Sequence, residues 1–312
     1  MKPNGIRHAD RFAVTILVDN YTDLLMMAGS DVVRRPMLAP PAAPLAEHGL
    51  ACLLEVSAGD ERHVLLLDTG ISSACLRHNV DVLGVDLSQV ETVVLSHGHF
   101  DHFGGLVDIL ATLRRGVPVV LHPDAFLERR IRIPGVDRII ELPRLQRETL
   151  EQTGAVIDAR SQASTLASDL VLVTGAVART TDFEVGFPLA EAKIGGEWSA
   201  DPFCDDQGVV VNVKGRGLVV IGGCSHAGII NTTRYAQDIT GGERVHAVLG
   251  GFHLSGPLFE AAVAPTIEAM KSLAPDYVVP MHCTGCTAIE RFAEAMPAQF
   301  VRNTVGTSYI FA

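Results

Sequence analysis

The sequence predicts an α/β fold, and three observations support that prediction. Apolar runs typical of β-strands alternate with segments whose apolar residues recur at helical spacing. The runs are apolar at nearly every position, which is typical of strands that are buried on both faces. A strand that ends directly in polar residues occurs in each half of the chain, as VVLSHGH and VVIGGCSH. Both halves therefore contain the same step from strand to polar loop.

Composition and charge limit the partners that we expect. The chain has 312 residues, 47% of them hydrophobic, which is enough for an ample core. The formal net charge is −11, and the densest basic group is too small to suggest nucleic-acid binding. No uninterrupted apolar stretch would span a bilayer, and the first residues lack a signal-peptide pattern. We therefore expect one cytoplasmic domain over residues 1–312, with no membrane or nucleic-acid partner; the oligomeric state stays open.

The part of the chain before about residue 126 alternates strands and helices. Strands are predicted for FAVTILVDN, LACLLEV, HVLLLDTG, the VETVVL part of DLSQVETVVLSH, and VPVVLHP, because apolar and branched residues dominate them. Helices are predicted for ISSACLRHNV, for the short DLSQ turn and for FGGLVDILATLRRG. In the last of these, Leu106, Ile109, Leu110 and Leu113 share one face, and Gly116 provides a stop signal.

Between about residues 126 and 206 the regular pattern weakens. Arg, Pro, Gly, Ser and Thr interrupt it, and LVLVTGAV is its clearest strand. We interpret the segment as a long insertion on the substrate side, because long irregular segments often cover active sites. Regularity returns with the hairpin GVVVNVKGRGLVVIGG, the helix IINTTRYAQDI, the strand VHAVLGGFHL, the helix LFEAAVAPTIEAMKSL, the strand YVVPMH and the helix CTAIERFAEAM.

The stretch SHGHFDHFGG (96–105) concentrates metal-binding side chains at a strand end. His97 and His99 alternate along an extended turn and can face one centre. Asp101 and His102 begin the next turn and can face a second centre. Imidazole and carboxylate groups are ligands for zinc, iron and manganese. A polar loop with coincidental histidines is the alternative, and the pattern H-x-H-x-D-H at a strand end argues against it.

This stretch resembles the signature of the metallo-β-lactamase superfamily, and the resemblance extends over nearly the whole chain. Asp68 in LLLDTG resembles an earlier Asp of the superfamily, which supports the metal loop from behind. EHGL, GGCSHAGIINT, LGGFHL and PMHCTG resemble the branch that contains the archaeal dihydropterin-ribofuranosylaminobenzene phosphate synthase and many metal-dependent hydrolases. The resemblance implies a four-layer αββα sandwich, with two mixed sheets face to face, helices outside, and metals at one edge.

The resemblance also implies two divalent metal ions, expected to be zinc, with iron or manganese as alternatives. His282 matches the superfamily's late histidine, and His226 is expected to supply a further imidazole. The expected ligands are His97, His99 and His226 for one ion, and Asp101, His102 and His282 for the other. Cys224 stands about where the superfamily has a bridging Asp. It is either a zinc ligand or a buried structural cysteine that supports the site.

Further residues are expected around the metals. His253, in LGGFHL, is a candidate proton donor or oxyanion partner, with a hydrogen-bonded structural histidine as the alternative. His48 is a candidate substrate-binding residue at the rim. Within the insertion, Phe187 and Trp198 are expected to form one wall of a small-molecule pocket. Asp205 and Asp206, in the CDDQG segment (204–208), are expected to hold the ligand-bearing loops, to contact substrate or to cap a turn.

The expected function is that of a metal-dependent hydrolase acting on a small ester, amide, lactone or phosphoester. Bound metal would lower the pKa of water from about 15.7 towards about 7, which makes hydroxide available at neutral pH. Asp101 would orient this nucleophile, and His253 would protonate the leaving group or stabilise the oxyanion. Two alternatives stay open. One is a transferase resembling the synthase of this branch, with Arg129, Arg130 or Arg179 as a phosphate grip; the other is a non-catalytic small-molecule sensor that keeps the metal site.

Overall fold

The structure is a computed structural model that describes residues 5–113, 116–133, 135 and 138–312. Its strands are, in chain order, β1 (His8–Ala9), β2 (Arg11–Val18), β3 (Val33–Arg34), β4 (Ala51–Ala58), β5 (Glu61–Leu67), β6 (Thr92–Val94), β7 (Pro118–Leu121), β8 (Arg129–Arg132), β9 (Ile139–Glu141), β10 (Val156–Ala159), β11 (Ser164–Leu166), β12 (Val171–Val173), β13 (Ala190–Ile194), β14 (Glu197–Ala200), β15 (Val209–Val213), β16 (Gly217–Gly222), β17 (Val245–Gly251), β18 (Tyr277–Met281) and β19 (Ser308–Phe311). Its helices are α1 (Ser73–Leu83), α2 (Phe100–Phe103), α3 (Leu106–Leu110), α4 (Arg147–Gln152), α5 (Ile229–Thr240), α6 (Glu260–Leu273) and α7 (Cys286–Ala295). None of the helices in these described ranges is long and apolar enough to cross a membrane.

Two mixed sheets form the centre of the described chain, and a smaller third sheet accompanies them. The first sheet has the strand order β10-β7-β6-β5-β4-β2-β19-β3. The second sheet has the order β11-β12-β15-β16-β17-β18, and β1 also pairs with β15. The third sheet has the order β14-β13-β8-β9. Strands β5, β6 and β7 are parallel to one another, as are β16, β17 and β18, so their carboxyl ends share one edge of each sheet.

The alternation of side chains along the strands produces four layers. In β5, Leu65 and Leu67 pack into the core that lies between the first and second sheets. Leu66 faces the other way and packs in one cluster with residues of α1 and α3. On the far side of the second sheet, Val248 of β17 packs in one cluster with residues of α5, α6 and α7. The order helix, sheet, sheet, helix confirms the predicted αββα sandwich.

The helix predicted for FGGLVDILATLRRG (103–116) corresponds to α3, which begins at Leu106, and Gly104 and Gly105 separate it from the short helix α2. A Cβ atom on Gly104 would lie 2.1 Å from the carbonyl oxygen of Ile71, so only glycine permits this approach of the two backbones. Helix α3 ends at Leu110, before the predicted stop at Gly116. The prediction of a helix is therefore confirmed, but the helix is shorter than predicted; residues 114 and 115 of this stretch lie outside the described residues.

Residues 126–206 contribute to all three sheets. β10 forms one edge of the first sheet, and β11 with β12 forms one edge of the second. The remaining strands, β8, β9, β13 and β14, make up the third sheet. The sequence pattern predicts only β12 clearly, because many residues of the other strands are half-buried or exposed and lack regular alternation. The pattern also misses β19, which inserts between β2 and β3.

Candidate metal centre

The carboxyl ends of the parallel strands in both central sheets bring the polar segments together. His97 and His99 follow β6, His226 follows β16, and His282 directly follows β18. Asp68 directly follows β5. Loops that leave the carboxyl ends of neighbouring parallel strands lie side by side, and such places commonly bind ligands. Segments that are far apart in the sequence therefore converge at this edge.

Three buried histidines, His97, His99 and His226, form a three-histidine group whose donor atoms lie within 4.8 Å of one another. Nε2 of His226 lies 3.1 Å from Nδ1 of His99. Within the described chain, Nε2 of His97, Nε2 of His99 and Nδ1 of His226 lack hydrogen-bond partners. Burial lowers the pKa of all three imidazoles, to about 3 for His99, so the rings are neutral at pH 7 and keep a free lone pair.

Asp101, His102, Cys224 and His282 form a second, mixed group, whose donor atoms also lie within 4.8 Å of one another. Nε2 of His102 lies 3.2 Å from the sulfur of Cys224 and 3.2 Å from Nε2 of His282. That nitrogen of His282 is 3.3 Å from the sulfur and 3.4 Å from Oδ2 of Asp101. The thiol of Cys224 therefore points into the space that the expected ligands share, and this geometry favours the ligand interpretation over a purely structural cysteine.

Both groups fit a divalent metal ion. A neutral imidazole carries a lone pair on its unprotonated ring nitrogen, and a cation among three such nitrogens would be bound by all of them. Nε2 of His97 is buried without a hydrogen-bond partner, which costs about 1–3 kcal/mol, and coordination would remove that cost. Histidine, cysteine and aspartate together are a typical donor set for zinc, while imidazole and carboxylate also suit iron and manganese.

Asp68 supports the mixed group from behind and is fully buried. Its Oδ2 accepts a hydrogen bond from Nδ1 of His102 at 2.7 Å, and its Oδ1 accepts one from the backbone N–H of Ser96 at 2.7 Å. These contacts orient the His102 ring so that Nε2 faces the other donors. Burial alone would lower the pKa of His102, but the charges of Asp101 and Asp68 outweigh it and raise that pKa to about 9. Asp68 thus contacts both the ring of a proposed ligand and the backbone of the loop that carries the ligands.

The CDDQG segment contacts both histidine-bearing loops. Oδ2 of Asp205 accepts a hydrogen bond from the backbone N–H of Gly98, at 2.8 Å. Oδ2 of Asp206 accepts one from the backbone N–H of Ala227, at 2.9 Å. Gly98 lies between two expected ligands, and Ala227 directly follows another. Of the roles expected for this segment, holding the ligand-bearing loops is the one that these hydrogen bonds support.

Arg129 ties the third sheet to the CDDQG segment. Its guanidinium donates to Asp201 and to Asp205, each at 2.7 Å, and both carboxylates are buried. Burial would lower the pKa of Arg129, but the two carboxylates outweigh it and raise that pKa, so the guanidinium keeps its charge. Because the side chain is enclosed by its partners, it is committed to the protein interior.

The other arginines considered as a phosphate grip are also engaged within the protein. Arg130 donates to Glu191 at 2.6 Å, and Arg179 donates to the backbone carbonyl of Val185 at 3.0 Å. Arg129 is likewise held by its buried ion pairs. None of the three arginines is among the described residues that line the space over the donor groups. The expected grip is therefore not present in this conformation.

A cavity of about 570 Å³ lies over both donor groups. His48 and Phe187 line it, and Nε2 of His48 lies 3.3 Å from Oδ2 of Asp101. Trp198, in β14, is not among the described lining residues; its ring packs 4.1 Å from the guanidinium carbon of Arg130. The pairing of β13 with β8 and β14 places the Trp198 side chain beside Arg130. The pocket wall expected from the two aromatic residues therefore includes Phe187 and not Trp198.

His253 lies in the same cavity, between the three-histidine group and the apolar lining. Its ring centroid is 4.2 Å from that of His226 and 5.5 Å from that of Phe187. Neither ring nitrogen has a hydrogen-bond partner among the described residues. The backbone φ of His253 is 50°, a left-handed conformation that is unfavourable for a residue with a side chain. A structural histidine held by hydrogen bonds would not leave both nitrogens free, so this alternative does not fit.

Asp19 and Asn20, which the sequence pattern did not single out, hold the backbone and ring of His282. Oδ1 of Asp19 accepts a hydrogen bond from the backbone N–H of His282 at 2.9 Å. Nδ2 of Asn20 donates to the carbonyl oxygen of His282 at 3.0 Å, and its Oδ1 lies 3.3 Å from Nδ1 of that ring. Both residues directly follow β2. The polar residues of the other ligand segments also come after an apolar strand. The sequence therefore contained a pattern that could have indicated Asp19 and Asn20.

The chain is similar to known proteins over most of its length. The family model of the metallo-beta-lactamase superfamily matches residues 49–282. The 7,8-dihydropterin-6-methyl-4-(beta-D-ribofuranosyl)-aminobenzene-5'-phosphate synthase of Methanocaldococcus jannaschii is 29% identical over 263 residues, which cover 84% of this chain and 89% of that protein. An uncharacterized protein of the same organism is 30% identical over 263 residues, covering 84% of this chain and 92% of its own. The crystal structure of Tm1679, a metal-dependent hydrolase of the beta-lactamase superfamily, matches 95% of this chain and 98% of its own, with a TM-score of 0.72 and 25% identity.

Proposed function

The chain belongs to the metallo-beta-lactamase superfamily, and from that premise we propose that it is a metal-dependent hydrolase of a small ester, amide, lactone or phosphoester. The observation that carries the proposal is the pair of buried donor groups beneath one cavity. The arrangement gives a substrate access to both groups at once. The similarity to a metal-dependent hydrolase of the same superfamily supports the same reaction class.

The side chains around the donor groups have distinct proposed roles. Divalent ions held there would polarise a substrate oxygen and lower the pKa of water, which supplies a nucleophile at neutral pH. Asp101 would orient the attacking water, because its Oδ2 faces both His48 and the mixed group. Burial would raise the pKa of Asp101, but His102 and hydrogen bonds from His282 and His48 hold it well below its usual range, so the carboxylate stays an acceptor. His253, with both ring nitrogens free, would donate a proton to the leaving group.

We propose two zinc ions, one in each donor group. Histidine nitrogen and cysteine sulfur are the usual zinc ligands, and the mixed group offers both. Iron or manganese are the alternatives, since imidazole and carboxylate also bind them. Elemental analysis of protein purified without added metal would identify the ion and its stoichiometry.

Metal-dependent turnover tests the hydrolase proposal directly. The purified protein would be stripped with a chelator, reloaded with zinc, iron or manganese, and assayed on p-nitrophenyl esters and phosphoesters. We expect turnover that disappears with the metal and returns on reloading. A fully metal-loaded protein that turns over no substrate in this panel would instead support the sensor alternative.

A transferase is the second candidate, because one relative is named as a synthase of an aminobenzene phosphate compound. Against it, the arginines considered as a phosphate grip are occupied by Glu191, Asp201, Asp205 and backbone carbonyls. Native mass spectrometry of protein purified from its own host would separate the candidates. A retained dihydropterin-type compound would support the transferase.

We also propose that the partner is a small molecule and that the protein works in a reducing compartment, the cytoplasm. The six cysteines are all free thiols, and free thiols persist where disulfides are kept reduced. Cell fractionation followed by immunodetection would test the location.

A further inference from the structure

The cavity over the donor groups continues, away from the proposed metals, between two apolar walls. One wall belongs to the third sheet and its neighbouring segments, and it carries Ile131, Leu142 and Leu189. The other wall is the segment between β17 and α6, which carries Leu258 and Phe259. At about 570 Å³ the cavity has the size of pockets that enclose small organic ligands. A substrate whose reacting group lies over the donor groups would extend between these walls.

The third sheet has an apolar face that lines the cavity, and the charged side chains of Arg130 and Arg132 in β8 lie on its opposite face. Ile131 lines the cavity, whereas its neighbours Arg130 and Arg132 both pair with Glu191. Successive side chains of a strand point to opposite faces, so the ion pairs lie on the face that Ile131 does not occupy. Among the described residues that line the cavity there is no lysine, arginine or glutamate. A charged group placed between the walls would therefore lose its hydration without gaining a partner.

Two aromatic rings connect the walls to the reacting end of the cavity. The centroids of Phe187 and Phe259 are 6.0 Å apart, and they lie 5.5 Å and 4.7 Å from that of His253. The apolar lining thus begins directly beside the proposed proton donor. At the mouth, Leu258 is 52% exposed. An exposed leucine at the rim of an apolar pocket is a feature of ligand-binding sites, because a bound apolar group would remove it from water.

We propose that the substrate is a carboxylic ester that carries an uncharged apolar group, seated between the two walls. This inference rests on the proposed hydrolase function and names its substrate class. In the reaction, the oxygen of water bonds to the carbonyl carbon, and the bond from that carbon to the ester oxygen breaks. The products are an alcohol, a carboxylate and one released proton. The apolar group belongs to the acyl part or to the alcohol part, and the walls would bind either.

Turnover of two ester series by the zinc-loaded protein tests this substrate class. The acyl series is p-nitrophenyl acetate, butyrate, hexanoate and octanoate; the alcohol series is methyl, butyl and octyl acetate; p-nitrophenyl phosphate represents phosphoesters. We expect kcat/KM to rise in one series by up to about fourfold per buried methylene group, and the responding series identifies the apolar part. Equal kcat/KM along both series, or a preference for the phosphoester, would overturn the inference and leave the hydrolase function intact.

If none of these compounds is hydrolysed, the hydrolase proposal itself has failed. A binding measurement then still tests whether the cavity binds an apolar group. Calorimetric titration of the zinc-loaded protein with acetate, hexanoate and octanoate measures binding alone. We expect octanoate to bind at least about tenfold more tightly than acetate, because its chain occupies the apolar walls. Equal affinities would show that the walls hold no apolar group.

A pair of matched variants assigns the effect to the walls. Leu258→Asp would place a charge at the rim of the cavity, and Leu24→Asp would change a similarly exposed leucine, 43% exposed, that does not line it. We expect Leu258→Asp to lower the preference for octanoate over acetate by about tenfold with unchanged zinc content, and Leu24→Asp to leave the preference unchanged. An unaltered preference in Leu258→Asp would exclude this wall from substrate binding.

Discussion

Asp205 accepts a hydrogen bond from the backbone N–H of Gly98 at 2.8 Å, and the same carboxylate pairs with Arg129 at 2.7 Å. Gly98 lies between His97 and His99, so this contact fixes the backbone on which two proposed ligands stand. The proposed ligands all lie outside residues 126–206, yet Arg129 and Asp205 belong to that segment. The segment therefore serves the metal centre as well as the cavity wall.

Replacing Asp205 with alanine should weaken zinc binding by about 10–100-fold, the usual effect of losing a residue that orients metal ligands. Competitive titration with a chromogenic chelator measures this affinity. Asp201→Ala is the matched control, because it also removes a carboxylate from Arg129 but no contact to Gly98. Equal zinc affinities in the two variants would contradict a specific role for the Gly98 contact.

Asp68→Asn should reduce metal retention while the fold persists. The asparagine side chain can accept only one of the hydrogen bonds that the carboxylate accepts from Ser96 and His102. The substitution also removes the negative charge beside the His102 ring. The expected loss in affinity is about 10–100-fold, measured as metal content after dialysis, with circular dichroism as the check on folding. Asp86→Asn, which alters an exposed turn cap, is the control. Full metal retention in Asp68→Asn would show that the contact is dispensable.

Single-histidine variants should distinguish the two proposed metal sites. His97→Ala removes a metal-binding side chain from the three-histidine group, and His102→Ala removes one from the mixed group. Each variant should therefore lose first the ion that is bound by the altered group. Elemental analysis at increasing chelator concentration measures this loss, and turnover should fall in both variants. His246→Ala provides the control, since His246 is also buried but pairs with Asp276 away from the centre. Retention of all metal and normal turnover in His97→Ala would refute the assignment.

Cys224 should bind a metal ion through its sulfur, because the sulfur lies 3.2 Å and 3.3 Å from Nε2 of His102 and His282. Cobalt-substituted protein should show the near-ultraviolet charge-transfer band of a cobalt–thiolate bond. The band should disappear in Cys224→Ser and persist in Cys52→Ser, whose cysteine is buried between the two central sheets. A band that persists in Cys224→Ser would show that Cys224 does not bind the ion and has a structural role.

The sequence predicted the parts of this molecule that depend on local pattern. The ligand loop was recognisable because its donors, from His97 to His102, follow a strand within six positions. The α/β class was recognisable because the central strands are apolar on both faces, and the sandwich was implied by the resemblance to the metallo-β-lactamase superfamily. The role of Cys224 stayed open, since spacing alone does not show where a sulfur points. The structure adds its distance to His102, which supports the ligand role that the cobalt experiment tests.

Features that depend on strand pairing were not predictable in the same way. Phe187 and Trp198 are both aromatic residues on an irregular stretch, and composition does not separate them. Their different positions follow from the register of β13 with β8 and β14, where residues are paired by backbone geometry that the weak pattern of this segment does not reveal. Asp205 was visible as a polar residue before a hairpin, but its partner Gly98 is 107 positions away.

Phe187→Ala should raise KM on the true substrate by about 2–10-fold, the range expected for the loss of aromatic contacts in a pocket, while metal content stays the same. The ring lines the cavity and packs against Phe259 and His253, so its removal loosens the wall that positions substrate. Steady-state kinetics separates KM from kcat, and elemental analysis checks the metal. Trp198→Ala is the matched aromatic control, because its ring packs on Arg130 outside the cavity lining, and its kinetics should match those of the parent protein. Equal changes in both variants would mean that the segment acts through its folding and not through the contact of Phe187 with substrate.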